Sequence, residues 1–131
     1  MGARYLSQII TYTQKDPVMP HCIVEYAKEL EQTLAIKKLL NVVHSSVFAS
    51  GLFEESSIKT RAIEFTHYQT GLSDTPFIHI TLKILFGRNH QQKKDLTQLV
   101  LDKLNEVVKP PISLSVEVID IEKVSYKKLV I

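Results

Sequence analysis

Twice along this chain an alternating apolar segment leads into apolar residues spaced by three and four, and then into another alternating segment. In the first pass Pro20 to Tyr26 alternates, Ile36, Leu39, Leu40, Val43 and Val47 follow at helical spacing, and Ile58 to Tyr68 alternates again. In the second, Phe77 to Phe86 precedes Leu96, Leu99, Val100, Leu104, Val107 and Val108, and Ile112 to Ile121 closes the pass with Leu114, Val116 and Val118. A period of two marks a strand, and a period near 3.6 marks one face of a helix. The order predicts an α+β domain over 19–131 built as a duplicated β-α-β plan, with halves at about 20–70 and 77–121. Right-handed crossovers within each half would put both helices on one sheet face. The other face stays open, and so small a chain buries it most simply against copies of itself.

Local signals mark the ends of these elements. The first helix is predicted to start near Thr33 and to stop at Gly51 in a left-handed conformation. The strand after it sets Lys59, Arg61, Ile63 and Phe65 on one face and Thr60, Ala62 and Glu64 on the other. Gly71-Leu72-Ser73-Asp74-Thr75-Pro76 is a turn-rich loop between the halves. Asn89, with Gln92 three residues on, has the form of a capping box, and Pro110-Pro111 stops the second helix. A mixed tail, Glu122 to Ile131, follows the last strand.

Composition excludes more than it identifies. With 131 residues, 44% hydrophobic and 23% charged, the chain reads as one ordinary globular domain. A net charge of +2 does not argue for a nucleic-acid or membrane partner. The single Cys22 cannot form an internal disulfide, which points to a reducing, cytoplasmic setting. No apolar run reaches membrane-span length, and the first eighteen residues lack the layout of a secretory signal.

Those residues, 1–18, fall outside the domain plan, with Asp16-Pro17 breaking the chain before Met19-Pro20. Lys15-Asp16 can be encoded by AAG-GAT or AAG-GAC, a purine-rich ribosome-binding sequence a short spacer ahead of the Met19 codon. The expectation is therefore that Met19 is the biological start and that 1–18 is a leader. Removal of Met19 would expose Pro20 as a secondary amine, a base and nucleophile with no rotatable stem. Inside a chain the same nitrogen is an imide with no N–H.

Met19 followed by Pro20-His21-Cys22-Ile23-Val24-Glu25 resembles the start of the 5-carboxymethyl-2-hydroxymuconate isomerase family, of the tautomerase superfamily. Phe77-Ile78-His79-Ile80-Thr81-Leu82-Lys83-Ile84, with Gly87-Arg88 after it, is similar to that family's third strand and following turn. The likeness spans about residues 20–121. It implies a tautomerase-like trimer with sites near subunit boundaries and chemistry that needs no cofactor. It also implies that an amino-terminal Pro20 carries a proton between a dienol and a carbon further along the conjugated chain. The substrates implied are hydroxymuconate-like di- or tricarboxylates from aromatic-ring breakdown.

The chemistry is reasonable on physical grounds. An α-amino group has a pKa of about 7.7–8.0, and burial or nearby cations lower it toward the operating pH of a proton shuttle. The same cations would hold substrate carboxylates and stabilise an enolate oxygen. Arg88 is the first candidate, expected at the start of the second helix where the dipole also favours an anion. Arg61 and Lys59 follow on one strand face. The family tends to carry two arginines with one residue between them, and here Lys59 takes the first position, keeping the charge without the bidentate fork. His21 matches the family's sequence and is a further substrate-binding candidate, whereas His79 reads as a satisfied structural residue. Glu25 and Glu64 read as partners for cross-strand cations and Cys22 as a small buried residue. His44, His67 and His90 lack ligand spacing, so no metal site is expected.

Other readings remain open at this level. Lys59 is compatible with a tautomerase-fold protein acting on a different 2-oxo acid. If residues 1–18 stay attached, Pro20 is blocked and a non-catalytic oligomer gains. A βαββαβ nucleic-acid module is the weakest, because the strands carry no aromatic stacking pair.

Overall fold

The structure, a computed structural model, describes residues 20–131; the expected leader, 1–18, and Met19 lie outside the described residues. Strand β1 (Pro20–Ala27) leads through a short 3-10 turn into helix α1 (Ile36–Ala49), which returns to strand β2 (Lys59–Phe65). Strand β3 (Phe77–Leu85), helix α2 (His90–Asn105) and strand β4 (Ser113–Ile121) repeat the plan. The four strands form one mixed sheet in the order β2-β1-β3-β4. Within each half the strands are parallel, β1 with β2 and β3 with β4, and the halves join where β1 runs antiparallel to β3. The expected α+β fold is the one observed.

Alternation along the strands decides which face is covered. Cys22, Val24 and Tyr26 of β1 and Ile78, Ile80, Leu82 and Ile84 of β3 pack in one buried cluster with Leu39, Val43 and Val47 of α1 and Leu96, Val100 and Leu104 of α2. Both helices therefore lie on the same side of the sheet. Full burial of a side chain of this size contributes about 1.5–3 kcal/mol, so this layer dominates stability. The opposite face carries His21, Ile23 and Glu25 of β1 with their register partners, and Ile63 there is 49% exposed and Ile119 41%. Among the described residues no helix is long and apolar enough to cross a membrane.

Several boundaries differ from the sequence expectation. Helix α1 begins at Ile36 rather than near Thr33, because the Thr33 and Leu34 N–H groups both turn back to the Leu30 carbonyl. Among the described residues no side chain caps it, so its start is set by packing of the apolar stripe. Its stop is as expected: Gly51 has φ 74° and donates to the Phe48 carbonyl. Strand β2 ends at Phe65, three residues short of Tyr68, where its partner β1 ends at Ala27. Val107 and Val108 lie past the end of α2.

Candidate active site

One end of the sheet collects the sequence candidates, because β1 and β2 begin there while β3 and β4 end there. Pro20 opens β1 opposite Ile84, buried on the helix side. The next residue, His21, points to the open face and stands in register between Lys59 on β2 and Lys83 on β3. Arg61, two residues beyond Lys59 on the same face, approaches Nδ1 of His21 through Nη1 at 3.0 Å. The Nε2 of His21 lies 3.0 Å from the Tyr126 hydroxyl, and the two rings meet edge to face with centroids 6.1 Å apart.

A guanidinium can only donate, so Nδ1 of His21 must accept, and the ring is neutral with its proton on Nε2. That proton is donated to Tyr126. The electrostatics agree: burial, then Arg61, Lys59, Lys128 and Lys83, hold the imidazole below its ordinary value of 6.5. The cluster is thus a neutral hub ringed by cations, and the sequence brought only part of it to notice. His21, Arg61 and Lys59 were legible as candidates. Lys83 needed the β1–β3 pairing, and Tyr126 and Lys128 belong to a tail whose sequence has no period.

Arg88 is at the same end of the sheet, beside the start of α2. Helix α2 starts at His90, with Asn89 as its cap as the capping-box pattern predicts, so Arg88 immediately precedes the cap. Gly87, at φ 120°, turns the chain there, and the Arg88 Nη2 donates to the Leu52 carbonyl at 2.7 Å. Its guanidinium also lies over the Phe53 ring, 5.1 Å from the centroid. Burial lowers its pKa, but a guanidinium remains charged at neutral pH. Asn89 accepts from the Gln92 N–H at 2.8 Å, so one of the helix's donors is already occupied.

The remaining candidates behave structurally. His79 is satisfied at both nitrogens, by the Ser115 hydroxyl at 2.7 Å and the Glu117 carboxylate at 2.6 Å. Glu64 pairs with Lys28 at 3.2 Å, while the strand neighbour of Glu25 is the already engaged His79. Burial pushes the Cys22 thiol up to about 11, which makes it a poor nucleophile. Among the described residues no group of three or more His, Cys, Asp or Glu side chains could hold a metal ion. A cavity of about 740 Å³ bordered by Lys28, Phe65 and Tyr68 lies at the opposite end of the sheet.

The family model for 5-carboxymethyl-2-hydroxymuconate isomerase matches residues 20–131, from the first residue of β1 through the tail. The chain belongs to the 5-carboxymethyl-2-hydroxymuconate isomerase family. It is an isomerase of the tautomerase superfamily, in agreement with the resemblance carried by Pro20–Glu25 and Phe77–Ile84. Among solved structures it is similar to a 5-carboxymethyl-2-hydroxymuconate delta-isomerase, with a TM-score of 0.80 and 13% identity over 90% of this chain and 93% of that one. It is also similar to a 5-carboxymethyl-2-hydroxymuconate isomerase from Deinococcus radiodurans R1, with a TM-score of 0.75 and 24% identity over 90% and 95% of the two chains. A fused 4-OT wild type asymmetric trimer matches at a TM-score of 0.67 and 18% identity over 82% and 91%. At these identities the likeness is one of fold. No curated protein sequence matches the chain.

Proposed function

We propose that this member of the isomerase family moves a proton along 2-hydroxymuconate-type dienols bearing two or three carboxylates, without a cofactor. Pro20, where its amine is free, is the acid/base. The observation that carries the reading is the row of cations beside the residue that follows Pro20: Lys59 and Lys83 in register with His21, and Arg61 bonded to it. The neutral amine takes the hydroxyl proton of the dienol and becomes an ammonium. The electron pair shifts along the conjugated chain as the oxygen becomes a carbonyl, and the ammonium returns the proton to a carbon. Arg61 and Lys59 bind substrate carboxylates, and Arg88 is available to the developing oxyanion through the guanidinium edge not used on Leu52. His21 positions Arg61.

The assembly proposed is a homotrimer that closes the open sheet faces. It is supported by the fold shared with fused 4-OT trimers, both asymmetric and symmetric. A second reading, turnover of a different 2-oxo acid, is favoured by Lys59, whose ammonium cannot grip a carboxylate bidentately.

Intact mass of the protein expressed from its own gene context comes first. A mass that retains residues 1–18 leaves Pro20 without a lone pair and favours a non-catalytic oligomer. For a chain beginning at Pro20, ultraviolet assay on 2-hydroxymuconate should show turnover, and Pro20→Ala should lower kcat/KM by about 10²–10⁴-fold. Turnover within tenfold of the parent in Pro20→Ala would remove the acid/base role.

A further inference from the structure

The end of the sheet away from Pro20 holds a concavity that the proposed reaction does not use. Strands β1 and β2 finish together there, at the register pair Ala27 and Phe65. The 3-10 turn Lys28–Gln32, the segment Thr66-His67-Tyr68 and Asp74 of the loop between the halves border a cavity of about 740 Å³. Small-molecule sites usually enclose about 300–1,000 Å³ and combine apolar walls with a few polar groups.

The apolar wall is aromatic. Phe77, at the start of β3, packs against both Phe65 and Tyr68, with ring centroids 6.0 and 5.3 Å away, and so holds the two rings in place. Both rings are half-buried and border the cavity. The polar wall is acidic once its internal pairings are set aside. Lys28 is bonded to Glu64 at 3.2 Å, and Glu31 accepts from the Tyr26 hydroxyl at 2.7 Å. Among the described residues Glu29 and Asp74 take part in no hydrogen bond or ion pair. The loop carrying Asp74 is nonetheless fixed. Thr70 and Ser73 exchange backbone bonds at 3.2 and 3.1 Å, and the Thr70 hydroxyl donates to the Thr75 carbonyl at 2.7 Å. The face of an aromatic ring is negative, so rings and carboxylates select the same sign of charge. An anion is repelled by this wall, and a neutral molecule gains nothing from its charge.

We propose that this cavity binds a small alkylammonium ion, its carbon groups against the rings of Phe65 and Tyr68 and its charge toward Glu29 and Asp74. Such a site is separate from the proposed reaction, whose substrate is an anion and whose cations lie at the other end of the sheet. It makes no demand on the state of the Pro20 nitrogen.

The test uses the full chain in its own assembly, titrated with three probes of one shape and followed by amide chemical shifts. Choline is the cation, 3,3-dimethylbutanol its neutral carbon analogue, and 3,3-dimethylbutyrate the anion. Choline should give saturable shifts at Glu29, Phe65, Thr66 and Asp74, with an affinity at least about fivefold above that of the alcohol. The butyrate should give no saturable shift there. Tyr68→Leu and Asp74→Asn should each weaken choline about threefold to tenfold, whereas Tyr68→Phe, which keeps the ring, should bind as the parent does. Asp74 is exposed and forms no bond to the rest of the chain, so Asp74→Asn reports on binding even where Tyr68→Leu disturbs the fold. Equal affinity for choline and the alcohol overturns the proposal. So does choline affinity unchanged in both Tyr68→Leu and Asp74→Asn, or a set of choline shifts centred on His21 instead of the cavity.

Discussion

At the scale of single residues, His21 is the hub of the open face, ringed by cations. It faces Lys59 and Arg61 from β2, Lys83 from β3, and Tyr126 and Lys128 from the tail. Burial and these cations depress its pKa in the folded chain below the ordinary 6.5. The unfolded chain therefore binds the His21 proton first as the pH falls. Below pH 6.5 stability decreases until the folded-state pKa is passed, and above it the contribution is complete and flat. His21→Gln keeps an acceptor for Arg61 and a donor for Tyr126 but cannot titrate. Denaturant unfolding between pH 5 and 7.5 should show a shallower loss toward acid in His21→Gln than in the parent. Equal slopes in the two proteins would mean that the ring is not held neutral by its neighbours. His79 shows the contrast: the same residue type on the same face, but with a serine and a glutamate taking its two nitrogens.

At the scale of elements, what could be read from the sequence was what local chemistry determines. The capping box at Asn89 is local, and it is present with both bonds, Gln92 N–H to Asn89 and Asn89 N–H to Gln92. Gly51 ends α1 because that stop needs only a residue that tolerates positive φ. Helix α1 starts later than its sequence pattern predicts because Thr33 has the chemistry of a cap while its hydroxyl and N–H serve the preceding turn at Leu30. The site was legible only as far as one strand at a time. His21, Lys59 and Arg61 could be named, but their meeting depends on β1 lying between β2 and β3, a long-range pairing with no local signal. The partners of Arg88 were illegible for a similar reason. Its carbonyl and aromatic partners, Leu52 and Phe53, come from the loop after α1. The cap itself gives a prediction. Asn89→Ala should cost about 1 kcal/mol, seen as a lower denaturation midpoint at constant slope, whereas Asn89→Gly should cost only a few tenths. Midpoints equal to the parent's in both variants would show that the Asn89 side chain contributes nothing to the cap.

At the scale of the whole molecule, the duplicated plan covers one sheet face and leaves the other to be completed. That uncovered face is not uniformly polar. Ile63 on the edge strand β2 and Ile119 on the edge strand β4 are each close to half exposed in the isolated chain. In an isolated chain, replacing such residues by a charge changes stability by no more than about 0.5 kcal/mol, the usual size of a surface substitution. In a closed assembly the same change puts an unpaired charge into an apolar contact, which costs several kcal/mol. The two cases therefore separate cleanly by mass. Sedimentation equilibrium of the parent should give three times the mass of the single chain measured by intact mass spectrometry. Ile63→Glu and Ile119→Glu should both sediment as folded monomers with an unchanged far-ultraviolet spectrum. If both variants keep the parent mass, the open face is not where copies meet. If the parent is itself a monomer, the face is solvated, and the cation row around His21 must then bind its anion from a single chain.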